Sequence, residues 1–223
     1  MECRWTSKGQ SRREARKEDR RAAILAVAQK SFLELGYAAT SMSSIAATMG
    51  GSKGTLWSYF PSKEVLFSAV LDSAMSTYRE RLKTLLNPGD GLRVTLEGFC
   101  RALLDKVTSA DALALHRLIQ TEGSRIPELG PIFFEHGPMQ THRLLADFIA
   151  EHMAKGSLLG DDPLLAARAL ISLATGGHHQ RLMWHVEPLD PAKIEADARF
   201  ATDVFLRAYG PEQGQGEDAG AAV

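Results

Sequence analysis

The sequence predicts an all-α protein, and three observations carry that prediction. Apolar residues recur at helical spacing along nearly the whole chain. No strand-like alternation of apolar and polar residues interrupts them. Pro, Gly or Asp stands wherever one periodic run gives way to the next. The chain has 223 residues, 44% hydrophobic and 24% charged, an ordinary globular balance with room for one or two domains.

Residues 1–18 are polar and charged and read as a flexible arm. A first helix is predicted from Asp19 to Leu35, with Ile24, Ala28, Phe32 and Leu35 on one face and Gly36 as its stop. Ser41 can cap a short second helix, Met42 to Met49, with Ile45 and Met49 pointing inward. Gly50-Gly51 makes a tight turn. Ser52 can cap a third helix, Lys53 to Phe60, with Leu56 and Phe60 four apart on its inner face. Pro61 breaks it, and Ser62 caps a long fourth helix from Lys63 to about Leu86.

The stretch Asn87-Pro88-Gly89-Asp90-Gly91 is a loop. Further helices are predicted over 92–108, 110–124, 127–156, 163–185 and 191–209. Gly130-Pro131 and Gly137-Pro138 make the 127–156 stretch either kinked or two pieces. The terminal GPEQGQGEDAGAAV reads as disordered. The predicted organisation is therefore an arm (1–18), a three-helix unit (19–66), a helical body (67–209) and a tail (210–223).

The net charge of −1 hides an asymmetry. Up to Lys63, eleven basic residues stand against five acidic ones, a net of +6. The rest of the chain carries 15 basic and 22 acidic residues, a net of −7. A basic end on an acidic body suggests that one end meets a polyanion. Cys3 and Cys100 are lone thiols, which fits a reducing, cytoplasmic setting. No apolar run approaches 18 residues, so no membrane span is expected.

Short helix, glycine turn and short helix form the helix-turn-helix pattern. Close crossing at the turn calls for small residues at Ala46 and Gly50. With Leu56 and Phe60 inward, Lys53, Thr55, Trp57, Ser58 and Tyr59 are left on or near the outer face. An outward Trp and Tyr beside hydroxyls and a lysine suit a nucleic-acid groove better than a solvated face. Lys63 sits in the first turn of its helix, where the macrodipole disfavours a cation unless a phosphate docks there. The run from Arg12 to Arg21 can add non-specific attraction along the duplex backbone.

The stretch TSMSSIAATMGGSKGTLWSYFPSKEVLF resembles the DNA-binding signature of the TetR family of bacterial transcriptional regulators. That pattern runs Thr-x-x-x-Ile-Ala, Gly, Ser-Lys-Gly-Thr-Leu-Tyr-x-Tyr/His-Phe and x-Ser-Lys-x-x-Leu. Ser41, Ile45, Ala46, Gly50, Ser52, Lys53, Gly54, Thr55, Leu56, Tyr59, Phe60, Ser62, Lys63 and Leu66 fall on it. The first helix matches as well, so the likeness covers roughly residues 20–67. Two positions depart from it. Trp57 stands where tyrosine is usual, which leaves an N–H donor with no acceptor capacity. Gly51 replaces an apolar residue after the turn glycine. The resemblance implies DNA contacts at Ser43, Lys53, Thr55, Trp57, Ser58, Tyr59 and Lys63.

It also implies a homodimer on a palindromic or near-palindromic DNA operator, with a small-molecule effector sensed by the body. The segment PLLAARALISLATGG carries one charge, Arg168, so it must be buried on more than one side. With the amphipathic last helix (Ile194, Ala198, Ala201, Phe205, Ala208) it resembles the family's dimerising pair. Ala166, Leu170, Ala174, Gly177, Ala201 and Phe205 are the expected interface. Residues 115–149 resemble the AefR-like branch, which carries over no particular ligand. Expected pocket liners are Phe99, Leu103, His116, Ile119, Gln120, Phe134 and Met139.

The implied function is a ligand-released transcriptional repressor with no enzymatic activity, cofactor or metal. An enzymatic reading would enlist His116, Glu122 or the His178-His179 pair as acid–base groups. No nucleophile–base spacing, phosphate loop or metal motif supports it. None of the seven histidines pairs with another at i,i+4.

Overall fold

The computed structural model describes residues 6–50, 53–87, 91–160 and 162–211. Within them the chain forms eleven helices and no strand. In order these are α1 (Thr6–Leu35), α2 (Met42–Thr48), α3 (Lys53–Tyr59), α4 (Lys63–Leu85), α5 (Leu92–Val107) and α6 (Ala110–Glu122). They continue as α7 (Leu129–His136), α8 (Pro138–Ala154), α9 (Pro163–Thr175), α10 (His178–Met183) and α11 (Pro191–Tyr209). No helix among the described residues is long and apolar enough to cross a membrane.

The chain divides into two compact units. The first gathers residues up to Arg79 with Ser109–Gln140, so α6 and α7 belong with the three-helix head. The second gathers Glu80–Thr108 with the residues from Thr141 onward.

The first unit has one hydrophobic core. Ile24, Ala28 and Phe32 of α1, Ile45 of α2, Leu56 of α3 and Phe67 of α4 are all buried in it. Phe32, Tyr37 and Phe67 form an aromatic triad with ring centroids 5.2–5.5 Å apart. Leu118 of α6 and Leu129 of α7 complete the same core. In the second unit, α11 packs against both α5 and α9. Leu96, Phe99 and Leu104 of α5, Leu170 of α9 and Phe205 of α11 are fully buried.

The predicted helix starts hold where acidic caps stand. Asp162 accepts the Leu165 N–H at 2.9 Å and Asp190 accepts the Ala192 N–H at 2.9 Å, each followed by a proline at the first helical position. The 127–156 stretch is two helices, parted at Gly137.

Several expectations need correction. The first helix begins at Thr6 rather than Asp19. Arg, Lys, Glu and Gln are good helix formers, and a helix polar all round has no apolar period to announce it. Leu35 and Ala208, expected on buried faces, are exposed at the ends of their helices. The predicted 163–185 helix breaks at Gly176-Gly177. There the Asp197 carboxylate accepts the His178 N–H at 2.6 Å and lies 2.4 Å from where a Cβ on Gly177 would stand. Gly51, Ser52 and the 212–223 tail lie outside the described residues.

Candidate nucleic-acid interface

The head is built around a cap and a turn. Ser41 accepts the Ser44 N–H at 3.0 Å, and the Ser44 hydroxyl accepts the Ser41 N–H at 3.1 Å. This reciprocal pair closes the first turn of α2. Gly50 ends that helix with φ +61, a conformation that penalises any side chain. A Cβ there would meet nothing within 4 Å. The glycine is therefore required by backbone conformation, not by the close helix crossing expected from sequence.

On α3, Leu56 and Phe60 turn inward and are buried, as predicted. Trp57 is 40% exposed, Ser58 is exposed, and Thr55 and Tyr59 are half-buried. The Ser58 hydroxyl donates to the Thr55 carbonyl at 2.7 Å, which leaves its oxygen with acceptor capacity on an exposed residue. Tyr59 packs its ring against the core beside Phe60, with centroids 6.5 Å apart. Ser43 lies half-buried on α2. Lys53 opens α3, and its side chain is outside the described residues.

Lys63 has other partners than the phosphate expected for it. Its ammonium donates to the carbonyls of Tyr37 at 2.9 Å and Thr40 at 3.0 Å, and lies 4.1 Å from the centre of the Tyr37 ring. Two carbonyls and an aromatic face offset the unfavourable position of a cation in the first turn of α4. Tyr37 is itself buried and donates to Glu64 at 3.3 Å. Burial first, and then the Glu64 charge, raise its phenol above the usual range. The Ser62 hydroxyl chiefly, with the Glu64 backbone N–H, lowers the Glu64 carboxyl.

The joint between α1 and α2 is tied from a third side. The Glu122 carboxylate, at the end of α6, accepts the backbone N–H groups of Tyr37 at 3.0 Å and Ala38 at 2.6 Å. Gly36 has φ +86, and a Cβ there would lie 2.4 Å from a Glu122 oxygen. The Thr40 hydroxyl donates to the Gly36 carbonyl at 2.7 Å. Gln29 of α1 reaches Asp111 of α6 at 3.1 Å. The direction in which α2 and α3 leave α1 is thus set by Lys63 and Glu122 together. Glu122 holds backbone amides instead of serving as an acid–base group. Sequence reasoning missed this role because the two ends of the contact are 84 and 85 residues apart.

The remaining expected site residues fall in both units. Phe99 and Leu103 are buried core residues of the second unit. His116, Ile119 and Met139 of the first unit are half-buried, and Gln120 and Phe134 are exposed. His116 meets the Phe133 ring edge-on at 5.3 Å, joining α6 to α7.

The expected dimer residues require correction. Ala166, Leu170, Ala174, Ala201 and Phe205 are each 0% exposed within the single chain, and Gly177 is pressed against Asp197. The five buried residues form this chain's own core, so their side chains present no surface to a partner, while Gly177 is half-exposed. Exposed apolar surface on the same two helices lies elsewhere, at Leu164 and Leu165 of α9 and Phe200 of α11.

Cys100 is fully buried, and burial pushes its thiol up to about 12. At neutral pH it is a protonated core residue and not a reactive thiolate. Among the described residues, no cluster of three or more His, Cys, Asp or Glu side chains could hold a metal.

Comparison with known proteins bears on the head and the body separately. Residues 24–70 match the model for bacterial regulatory proteins of the tetR family. Residues 94–211 match the C-terminal domain of AefR-like transcriptional repressors. The fold is similar to a TetR-family transcriptional regulator of Mesorhizobium loti MAFF303099, with a TM-score of 0.76, 27% identity and coverage of 88% of this chain and 99% of that one. It is also similar to the flavonoid-responsive regulator FrrA, with a TM-score of 0.74, 34% identity and coverage of 87% and 99%. The transcriptional activator FasR of Mycolicibacterium smegmatis (strain ATCC 700084 / mc(2)155) is 36% identical over 87 residues. That stretch is 37% of this chain and 40% of FasR, so the chain matches less than half of that relative.

Proposed function

Because the chain belongs to the TetR family of bacterial regulatory proteins, we propose that it is a cytoplasmic, homodimeric repressor released from its DNA operator by a small molecule. The observation that carries this reading is the outer face of α3. It holds an exposed indole and the exposed Ser58 hydroxyl on a helix locked from behind by Leu56 and Phe60. Such a face fits the major groove, where the Trp57 N–H donates and Thr55 and Ser58 contact base edges or phosphates. Ser43, Lys53 and Tyr59 flank it as backbone contacts. Lys63 acts chiefly from within, by fixing the joint that aims α3.

The dimer we propose uses the outward faces of α9 and α11, centred on Leu165 and Phe200. A twofold pairing there would set two copies of α3 on half-sites about one DNA turn apart or a multiple of it.

The release mechanism runs through α6. That helix carries His116, Ile119 and Gln120 on its length and Glu122 at its end. A small molecule bound against His116, Ile119, Phe134 and Met139 would displace α6 and pull Glu122 from the α1–α2 joint. By linkage, operator and effector then weaken each other equally. The match to AefR-like repressors supports repression, and the similarity to the flavonoid-responsive FrrA supports control by a small molecule.

Selection of bound duplexes from random-sequence DNA tests the reading. An inverted repeat is expected, and recovery of unenriched sequence would overturn it.

A further inference from the structure

Helix α1 runs well beyond the core that anchors it. Residues 12–19 are exposed, and from Arg12 onward the first buried residue is Ile24. At about 100° per residue, Arg12, Arg13, Arg16, Lys17, Arg20 and Arg21 fall within an arc of about 180°. Glu14, Glu18, Asp19 and Ala15 occupy the other half. The basic residues also stack four apart, as Arg12, Arg16 and Arg20 and as Arg13, Lys17 and Arg21. Like charges at that spacing destabilise an isolated helix, so this arrangement does not serve the helix itself.

None of the six cations has an acidic partner within salt-bridge distance among the described residues, whereas Lys30 and Glu34 of the same helix do pair. Arg21 lies 5.6 Å over the ring of Phe60, the residue that closes α3. The stripe therefore begins at the end of the proposed reading helix and runs away from it for about 14 Å, the rise of nine helical residues.

We propose that this face of α1 is a second DNA-binding surface that grips the phosphates flanking the segment read by α3. The proposal rests on the reading of the head as DNA-binding and adds a site to it. A stripe of this length can span about two to four phosphates of one strand, spaced about 3.4 Å along the duplex axis. It contacts no base edges, so it adds affinity on any sequence and leaves preference among sequences to α3.

The test uses the full chain and a variant with Arg13, Arg16, Lys17 and Arg20 each changed to Gln, a comparable helix former. Circular dichroism checks that helix content is kept. Binding to a selected operator and to a random duplex is titrated across a salt series. The expected result is a loss of tenfold or more on both duplexes, with their ratio unchanged. The slope of log affinity against log salt becomes shallower by about 0.9 for each phosphate that the variant no longer neutralises.

An unchanged slope with operator binding intact overturns the stripe alone. Failure of the unaltered chain to bind any duplex overturns the DNA reading and the stripe with it. Binding of the unaltered chain to phosphatidylserine vesicles that the variant loses, with an unchanged DNA slope, assigns the stripe to a membrane surface and also overturns the proposal.

Discussion

Replacing Glu122 with Ala removes the carboxylate that, from α6, accepts the two amides of the α1–α2 joint. Two backbone donors lose a charged acceptor, Tyr37 at 3.0 Å and Ala38 at 2.6 Å. A hydrogen bond to a charged group contributes about 1.5–3 kcal/mol net. Ala38 is exposed, so water replaces most of its loss, while Tyr37 is buried and recovers little. The expected cost is about 2 kcal/mol, concentrated at the joint. That corresponds to about 30-fold more of the opened joint at equilibrium.

Hydrogen exchange of the Tyr37 and Ala38 amides reads this directly, since protection reports local opening. A second variant separates the carboxylate from general loosening. Gly36→Ala places a Cβ 2.4 Å from the Glu122 oxygen, so its cost falls when Glu122 is already Ala. A residual penalty of about 1–2 kcal/mol remains from the positive φ. Unchanged protection at Tyr37 and Ala38 in Glu122→Ala, or strict additivity of the two substitutions, would refute the reasoning.

Four further outcomes are expected. Gly177→Ala drives a methyl into the Asp197 carboxylate and lowers stability by about 1–3 kcal/mol in urea denaturation, less so beside Asp197→Ala. Glu187 is held at about 2, below the usual 4.5, by hydrogen bonds from Lys193 first and then Arg181 and His178. A carboxylate with a lowered value stabilises the fold fully above 4.5 and loses that effect as the pH falls toward 2. An acid titration of Glu187→Gln is therefore shallower than the wild type across that window. Cys100 resists alkylation by iodoacetamide at pH 7 until the chain is unfolded, because burial keeps the thiol protonated. Phe200→Asp converts the proposed dimer to monomer in sedimentation equilibrium, while Phe205→Ala lowers stability by about 3–5 kcal/mol.

Much of the fold was legible because helices announce themselves in period and punctuation. The Ser41 cap, the Gly50 turn and the inward Leu56 and Phe60 follow from spacing alone. Asp162-Pro163 and Asp190-Pro191 mark two helix starts to the residue. What escaped detection shares a cause. A polar helical stretch such as residues 12–19 is exposed all round, so it leaves no period to read.

The apolar α9 was expected to be covered on two sides, but composition does not say which side is this chain's core. Its small residues went inward against α5 and α11. Lys63 matched a phosphate-binding position by sequence, yet its ammonium turns onto carbonyls whose proximity only the folded loop creates. Glu122 is the clearest case. A carboxylate at the end of α6 carries no local signal that its partners are two amides following α1.

The most direct test of the account measures specificity at α3. The affinities of the wild type, Thr55→Ala and Trp57→Ala for a selected operator and for a random duplex are compared at one fixed salt concentration. If α3 reads the groove, each substitution lowers operator affinity about tenfold or more and leaves random-duplex affinity nearly unchanged, since reading one base is worth about 1–3 kcal/mol. An operator-to-random ratio equal to that of the wild type in both variants would contradict the assignment of α3 as the reading helix.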